Sequence, residues 1–436
     1  MDRIYEKERE VPLMGAYDVI VCGAGPSGVA AALASARTGA STLLIEAQGC
    51  LGGVWTAGHL CWIIDSGNKT GILREIINKL DEHNAIFRVF DTSKDFSYDP
   101  ETMKYLLEEM CIESGVKAQM HTRVVAAVKN DDNRMKYIIT ESKSGRQAWT
   151  AKIFIDATGD GDLAFQAGCG YDYGRENNSE TQPMSLQALV TGLDAEEIQE
   201  YLINGRHGYE YGAKQKMLKE ILDIGINPSY STPSIIKISD NLYIFSVNHQ
   251  YGVSAMDAAQ ITDATIRGRR EIFHIANALR SHGGIWRNLT IVSTASYIGV
   301  REGRRIHGLY TVSNKDIMEG ARHEDAICRV TFCVDVHSTN KDKGKAYSNE
   351  GIQVKPYDIP YRALIARDVN GLLMAGRCIS GSFHAHASYR VTGNAVPMGQ
   401  AAGTAAALSA KQDCLPQELP WNKLQSALKE SGYIIL

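Results

Sequence analysis

The sequence predicts an α/β fold in which a parallel sheet with flanking helices is extended by a β-meander and carries an inserted α+β block. Three observations lead to this prediction. Residues 18–46 read as a buried strand, a glycine turn, a small-residue helix and a second strand. Residues 116–155 contain short runs of alternating apolar and polar residues, which is typical of a meander. Residues 175–350 differ from both flanks, because long polar helical patterns separate their strand-like runs.

The first strand and helix are joined by the pattern Gly-x-Gly-x-x-Gly. Gly23 allows a sharp turn, Gly25 lets the backbone approach a pyrophosphate, and Gly28 lets the helix pack closely on the sheet. Glu46 ends the second strand, where a carboxylate can accept hydrogen bonds from ribose hydroxyls. Since strand, helix and acid are all in place, the motif indicates a dinucleotide-binding unit of Rossmann type rather than an ordinary βαβ unit.

Composition places the chain among globular proteins of two or three lobes. It has 436 residues, of which 44% are hydrophobic and 22% charged. The formal net charge of −4 gives no electrostatic reason to expect a nucleic acid or an anionic membrane as partner. The charged N-terminus lacks the apolar core of a signal peptide, and no apolar run is long enough to span a bilayer. We therefore expect a cytoplasmic protein.

The sequence offers no convincing metal site. Its nine cysteines include no CxxC pair, which favours reduced thiols over zinc or iron–sulfur ligation. Asp160 and Asp162 loosely resemble a calcium loop, but apolar residues occupy most of the following ligand positions.

The domain organisation predicted from these patterns has three segments. Residues 1–174 form the first part of the nucleotide-binding domain, residues 175–350 a separate lobe of mixed sheet with helices on one side, and residues 351–436 the rest of the nucleotide-binding domain. The last segment holds a buried strand at 371–377 and a small-residue helix from Asn394 to Ala410. Helices are predicted over 71–83, 100–114, 194–204, 211–224 and 257–281.

Four separated segments together resemble the FAD-dependent oxidoreductases of the glutathione-reductase-like superfamily, and more narrowly the soluble FAD-dependent oxidoreductase family. They are residues 18–46, Gly52-Gly53, residues 156–160, and residues 371–377 with 399–403. The resemblance spans nearly the whole chain. It implies a Rossmann-like FAD-binding domain, bound FAD and an inserted substrate domain, but it does not imply a particular substrate.

The resemblance also implies which residues hold FAD, with the helix start near Gly399 facing the flavin end. The expected contacts are Gly23, Gly25, Pro26, Ser27, Gly28, Glu46, Ala47, Gly52, Gly53, Val54, Trp55, Thr56, Val124, Ala157, Thr158, Gly159, Asp160, Gly376, Arg377, Met398, Gly399 and Gln400. Trp55 and Leu60 stand where disulfide reductases of the superfamily carry cysteines, so dithiol chemistry is not expected. Noncovalent FAD is expected, although His59 can in principle carry a covalent link.

A flavin enzyme needs a group that orients the substrate and a group that exchanges its proton. Histidines near neutral pH and guanidinium groups suit these tasks. His249 ends a strand of the middle lobe, and His384 and His386 lie in the segment before the last helix, interpreted as a loop. Arg301, Arg304 and Arg305 offer either a guanidinium fork for an anionic substrate or an ion-paired junction in which Glu302 is the partner of one arginine. The catalytic candidates are His249, His384, His386, Arg301 and Arg390, and a plain hydrogen-bonded role is the alternative at each histidine.

These residues predict hydride transfer between bound flavin and a small polar organic substrate. The absence of a second dinucleotide-binding pattern leaves the electron donor or acceptor unidentified. Three alternatives stay open: a non-redox synthase or isomerase on the flavin fold, an electron-transfer subunit of a larger complex, and a fumarate-reductase-like alkene reductase. A homo-oligomer is also left open.

Overall fold

The computed structural model describes residues 4–88, 95–204, 211–342 and 344–435. Its strands are β1 Leu13–Cys22, β2 Thr42–Ile45, β3 Trp62–Ile63, β4 Ile86–Phe87, β5 Phe96–Tyr98, β6 Lys117–Gln119, β7 Arg123–Lys129, β8 Met135–Ser142, β9 Gly145–Asp156, β10 Tyr171–Asp172, β11 Ala188–Thr191, β12 Ser234–Ser239, β13 Leu242–Ser246, β14 Thr290–Thr294, β15 Arg305–Ile306, β16 Ala326–Val330, β17 Val336–His337, β18 Tyr347–Ser348, β19 Tyr357–Pro360 and β20 Leu372–Met374. Its helices are α1 Pro26–Arg37, α2 Ile72–Glu82, α3 Pro100–Glu113, α4 Asp162–Gln166, α5 Tyr211–Asp223, α6 Ala258–His282, α7 Asn314–Glu319, α8 Phe383–Tyr389, α9 Thr392–Gln412 and α10 Trp421–Glu430.

The largest sheet has the strand order β6-β2-β1-β9-β8-β7, with β20 also paired to β9. Strands β1, β2, β6, β9 and β20 are parallel, whereas β8 is antiparallel to both β7 and β9. The long strand β9 belongs to both parts, because its first half pairs with β8 and its second half lies between β1 and β20. The predicted α/β fold with a parallel sheet and a β-meander is confirmed, with both in one continuous sheet.

Helices α1 and α9 pack on this sheet and against each other at very short range. A Cβ atom on Gly399 would lie 2.0 Å from the carbonyl oxygen of Ser27, and one on Gly403 would lie 2.0 Å from that of Ala31. The two backbones can approach so closely only because these positions lack side chains. The small-residue helix predicted from Asn394 is confirmed, but it already begins at Thr392.

The middle of the chain forms a second sheet with its own core. The sheet has the order β12-β13-β11-β14 and is antiparallel throughout, so the expectation of a mixed sheet was wrong. A second buried apolar cluster combines this sheet with residues of α5 and α6. The helices predicted at 211–224 and 257–281 are present, whereas 194–204 contains only a short turn of 3₁₀-helix at Gln199–Tyr201.

The division of the chain at residues 174 and 350 stays a prediction. Strand β16 pairs with β19 across residue 350, and apolar residues of β16 and β17 belong to the core of the large sheet. Among the described residues, no helix is both long and apolar enough to cross a membrane.

Candidate functional site

The turn between β1 and α1 shows why each of its glycines is needed. Gly23 has a φ of +93°, and a Cβ there would lie 2.5 Å from the carbonyl oxygen of Ala157. A Cβ on Gly28 would lie 1.8 Å from the carbonyl oxygen of Gly23. In contrast, a Cβ on Gly25 would meet no atom within 4 Å. Pro26 opens α1 without an N–H, so the first turn offers the amides of Ser27 and Gly28, together with the positive end of the helix dipole, at this open position.

Glu46 is held beside this turn by two backbone amides. Its carboxylate accepts hydrogen bonds from the amides of Ala24 (2.6 Å) and Gln48 (2.8 Å), and its carbonyl accepts one from Thr122 (2.9 Å). The exposed Ala47 follows it, and Val124 lies two residues beyond Thr122 in β7. A cavity of about 490 Å³ opens beside this loop, lined by residues that include Gln48, Gly49 and Cys50.

The Gly52-Gly53 pair lies directly against the glycine turn. The amide of Gly52 donates to the carbonyl of Ala24 at 2.8 Å, and a Cβ on Gly53 would lie 3.0 Å from the Cα of Gly25. Both glycines have positive φ, +100° and +55°. Val54, Trp55 and Thr56 continue from this pair, and Trp55 is fully buried.

The ends of β9 and β20 meet the same turn. The amide of Ala157 donates to the carbonyl of Cys22 at 2.8 Å, and Gly376 approaches so closely that a Cβ there would lie 2.6 Å from Oγ of Ser27. Burial raises the pKa of Asp156, which ends β9, to about 6, against hydrogen bonds from the backbone of Ala164 and from Thr158. The glycine turn, the Gly52-Gly53 pair and the ends of β9 and β20 thus lie together around the open face of Gly25, and we call this region the crevice.

Arg377 and Asp160 form an ion pair at this edge. Nη2 of Arg377 donates to the Asp160 carboxylate at 2.9 Å, while a Cβ on Gly159 would lie 2.7 Å from Nη2. Both charged side chains are largely buried. Because the carboxylate occupies only one side of the guanidinium, Arg377 keeps a buried nitrogen, Nη1, that has no partner in the described part of the chain.

The predicted residues on α9 lie deeper than expected. Gly399 contacts α1, and Met398 is buried. The side-chain oxygen Oε1 of Gln400 accepts a hydrogen bond from the backbone N–H of Ile72 (3.0 Å), and its Nε2 donates to Oγ of Ser431 (3.1 Å). The expectation that a helix starts near Gly399 was wrong, because Thr392 begins it. The first turn of α9 is therefore formed from residue 392 onward, where the amide of Gly393 donates to the carbonyl of Ile64 at 3.2 Å.

Buried polar atoms without a partner test whether the crevice suits a polar ring system. Among the described residues, such atoms include Nε1 of Trp55, Nη1 of Arg377, both ring nitrogens of His386 and Nδ2 of Asn394. A buried unpaired donor costs about 1–3 kcal/mol, so these groups favour a bound partner with hydrogen-bonding edges. Together with the open face of Gly25, they fit FAD.

A second cluster of polar side chains lies where the middle lobe meets the large sheet. Nε2 of His249 lies 3.2 Å from Nδ1 of His337, whose Nε2 lies 3.3 Å from the carboxylate of Asp335. Nδ1 of His249 lies 3.2 Å from the hydroxyl of Tyr251, and the ring of Tyr230 packs on that of His249 with centroids 3.9 Å apart. We call His249, His337 and Asp335 the histidine–aspartate chain.

Two of the predicted arginines border this chain. Arg301 donates to the carbonyl of Pro183 (2.5 Å) and to Oγ of Ser185 (3.0 Å), and its Nη2 lies 3.4 Å from Nε2 of His249. Arg390 donates to the carbonyl of Asp335 at 2.8 Å and to Oε1 of Gln182 at 3.1 Å. His249, Arg301 and Arg390 are therefore neighbours in the fold.

The charges of this cluster follow from burial and proximity. Burial, then Arg301 and His337, hold the pKa of His249 well below its ordinary value. Burial, then Arg301, lowers the pKa of His337 to about 4, against the attraction of Asp335. Burial opposes ionisation of Asp335, but His337, Arg390 and Arg301 hold its pKa below its ordinary value. At neutral pH the histidines are neutral, and the aspartate and both arginines are charged.

His384 and His386 are separate from each other. The segment interpreted as a loop is helix α8, capped by Ser382, so residues two apart face different directions. Nε2 of His384 lies 2.9 Å from the carboxylate of Glu350, and its Nδ1 lies 3.2 Å from the side-chain nitrogen of Asn314. His386, in contrast, is fully buried. In the described ranges, no group of three potential ligands is placed to hold a metal ion.

The sequence reasoning missed His337 and Asp335. They stand 88 and 86 positions after His249, so only the fold brings them to it. Their signal was the spacing of two positions on either side of Val336, because residues two apart in an extended segment point to the same side.

Comparison with known proteins gives one family match and several partial likenesses. The family model described as "FAD dependent oxidoreductase" matches residues 18–428. The tRNA uridine 5-carboxymethylaminomethyl modification enzyme MnmG from two strains of Clostridium botulinum, Okra / Type B1 and Loch Maree / Type A3, is 34% identical over 169 residues. That match covers 34% of this chain and 25% of each relative, so the chain spans about a quarter of their length.

Solved structures resemble the chain over most of its length at low identity. A geranylgeranyl bacteriochlorophyll reductase-like protein from Thermoplasma acidophilum is 13% identical, with 96% of this chain and 84% of that chain covered and a TM-score of 0.47. The p-nitrophenol 4-monooxygenase PnpA from Pseudomonas putida DLL-E4 is 11% identical, with 96% and 84% covered and a TM-score of 0.46.

Proposed function

The chain belongs to the family of FAD-dependent oxidoreductases, and on that premise we propose that it transfers a hydride between bound FAD and a small polar organic substrate. The observation that carries this proposal is the histidine–aspartate chain with Arg301 beside it. The histidine–aspartate chain holds neutral imidazoles next to an ionised carboxylate, and the guanidinium group of Arg301 lies within 3.4 Å of His249.

FAD supplies the two-electron chemistry, and the polypeptide holds the cofactor and orients the substrate. The free amides at the start of α1 would bind the diphosphate, and Glu46 would bind the ribose. Arg377 and the N-terminal end of α9 would lie toward the flavin ring.

Arg301 would bind an anionic group of the substrate. Among the described residues, no carboxylate lies within ion-pair distance of its guanidinium, which is fixed by the carbonyl of Pro183 and the hydroxyl of Ser185. A carboxylate is the group that such a fixed fork recognises best. Arg390 is already engaged with Asp335 and Gln182, so we assign it to positioning the histidine–aspartate chain.

His249 and His337 would exchange the substrate's proton. Asp335 accepts a hydrogen bond from Nε2–H of His337, so Nδ1 of His337 can accept one from Nε2–H of His249; these tautomers are assigned from the partners. A proton taken up at Nδ1 of His249 would be balanced by transfer of the Nε2 proton of His249 to Nδ1 of His337, and the Asp335 carboxylate stabilises the imidazolium formed there. Removing a proton from a substrate hydroxyl or amine is the half of dehydrogenation that the polypeptide must provide.

The test is anaerobic absorbance of the purified yellow protein. Hydroxy acids, amino acids, amines, sugars and alcohols are added in turn, and bleaching of the flavin band identifies a substrate. We expect bleaching by a molecule that carries a carboxylate next to a hydroxyl or amine. A separate arm with dye-reduced enzyme and fumarate tests the alkene reductase. No redox response to any substrate, with FAD bound, favours the non-redox alternative and contradicts the proposal.

A further inference from the structure

His386 lies in the protein interior with neither ring nitrogen hydrogen-bonded to any described residue. The side chain is fully buried, and Tyr389 packs edge-on against it with ring centroids 5.5 Å apart. A neutral imidazole carries one N–H donor and one acceptor nitrogen. Burying both without partners is unfavourable, so the position calls for a polar group that these residues do not supply.

Helix α8 places His386 between the two parts of the site. On one side is Arg377, near enough for its charge to act on His386, at the strand end where Gly376 contacts the start of α1. On the other side, the carbonyl of Ala387 accepts a hydrogen bond from the amide of Asp335 at 3.3 Å. A flavin ring that reacts with a substrate held by Arg301 must itself lie between these parts.

The electrostatic surroundings make His386 a neutral donor. Burial, followed by the charges of Arg305, Arg390 and Arg377, holds its pKa well below the ordinary value. Its single N–H can therefore donate at any pH at which the protein is assayed. The acceptor it needs is a carbonyl or ring nitrogen, and the pyrimidine edge of a flavin offers both.

We infer that His386 hydrogen-bonds the polar edge of the flavin and raises the reduction potential of bound FAD. Negative charge builds up on that edge on reduction, so a donor there binds the reduced state more strongly. The inference rests on the cofactor crevice of the proposed function, but it requires neither the proposed substrate nor the proton exchange.

The experiment compares His386→Leu, His386→Gln and the control His384→Leu, each as purified FAD-bound protein. His384 is on the same helix but contacts Glu350 and Asn314 instead. The midpoint potential is measured by equilibration with a reference dye. We expect His386→Leu to bind reduced FAD about tenfold more weakly relative to oxidised FAD, which lowers the potential by about 30 mV. Glutamine keeps an N–H donor and restores at least half of the shift, and the control leaves the potential unchanged.

A second readout separates a flavin contact from a packing effect. Since His386 has no partner without FAD, His386→Leu should preserve or raise the melting temperature of the FAD-free protein and reduce the gain on adding FAD. An equal loss in both states overturns the inference. So does a potential that moves no further than in the control, or that falls equally with leucine and glutamine. A wild-type protein that binds no FAD would refute the cofactor crevice itself, which is a distinguishable failure.

Discussion

Arg301 differs from Arg304 and Arg305 in what its guanidinium faces. Arg304 pairs with Asp162 at 2.9 Å, and Arg305 donates to the carbonyls of Gly381 and Gly174, both at 2.9 Å. Arg304 and Arg305 therefore follow the ion-paired alternative, with Glu302 lying 3.5 Å from Arg305 as expected. Among the described residues no carboxylate forms an ion pair with Arg301, which leaves its charge for an anion.

Replacing Arg301 by glutamine should weaken substrate binding without affecting FAD. A hydrogen bond to a charged group contributes about 1.5–3 kcal/mol, so the substrate concentration needed for half-maximal flavin reduction should rise about 10- to 100-fold. Stopped-flow reduction measures this, with FAD content determined from absorbance. The matched control is Arg267→Gln, because Arg267 is on the solvent-exposed face of α6 and pairs with Asp263. Equal behaviour of the two variants would contradict the role of Arg301.

The buried His337 should make stability depend on pH. Its pKa is about 4 in the folded protein and about 6.5 in the unfolded chain, so the unfolded state binds more protons between these values. The free energy of unfolding should therefore fall by about 3 kcal/mol as the pH drops from 6.5 to 4.

His337→Asn should lose less stability over the same pH range, which denaturant titrations at several pH values measure. The control is His121→Asn, because His121 is exposed. If His337→Asn shows the same slope as the wild type, His337 is already protonated in the folded protein and the assigned charge of the chain is wrong.

At this scale the sequence could predict residue types but not their partners. His249, Arg301 and Arg390 were selected for their chemistry and their positions near predicted element ends, and the fold makes them neighbours. His337 and Asp335 escaped notice because nothing local links them to His249. The catalytic roles of these residues and the separate set of FAD contacts stay predictions.

At the scale of elements, the contact between α1 and α9 positions the glycine turn. Gly399 and Gly403 are one helical turn apart and face Ser27 and Ala31 of α1. Any side chain there must push the two backbones apart. Because α1 carries the first amides of the crevice, such a shift would displace them from the cofactor.

Gly403→Ala should therefore lower both stability and FAD content. Overpacking typically costs about 1–3 kcal/mol, and an approach of 2.0 Å to a backbone atom favours the upper end. Thermal unfolding and the ratio of flavin to protein absorbance measure the two effects. Gln412→Ala, at the exposed end of α9, is the control and should change neither. A fully stable, yellow Gly403→Ala protein would show that the helices are less tightly packed than described.

Periodicity predicted most helices, but it misplaced the start of α9 and did not identify α8 as a helix. We expected a small-residue helix from Asn394 and a helix start near Gly399, yet α9 begins at Thr392 and keeps Pro397 in its second turn. Ser382 was the cap that could have identified α8 as a helix. Residues 194–204 have a helical pattern, but tertiary packing leaves only one 3₁₀ turn.

At the scale of the whole molecule, the histidine–aspartate chain joins two cores. Val247, near His249, belongs to the apolar cluster of the middle lobe, and Val336, beside His337, belongs to that of the large sheet. The parallel sheet was predictable because its strands follow from short βαβ signals. The order of the middle sheet was not, since only β12 and β13 form a hairpin, whereas β11 pairs with β13 and β14, which are far from it in sequence.

Gly25→Ala tests the central claim, that the open face of the glycine turn is the cofactor crevice, most directly. Its φ of −68° suits alanine, and a Cβ meets no atom within 4 Å, so the FAD-free protein should keep its melting temperature. The methyl group would instead occupy the space of the diphosphate. Titration of the FAD-free protein should show FAD binding at least about tenfold weaker than in the wild type, or about 1.4 kcal/mol. Unchanged FAD affinity in a folded Gly25→Ala protein would contradict the account.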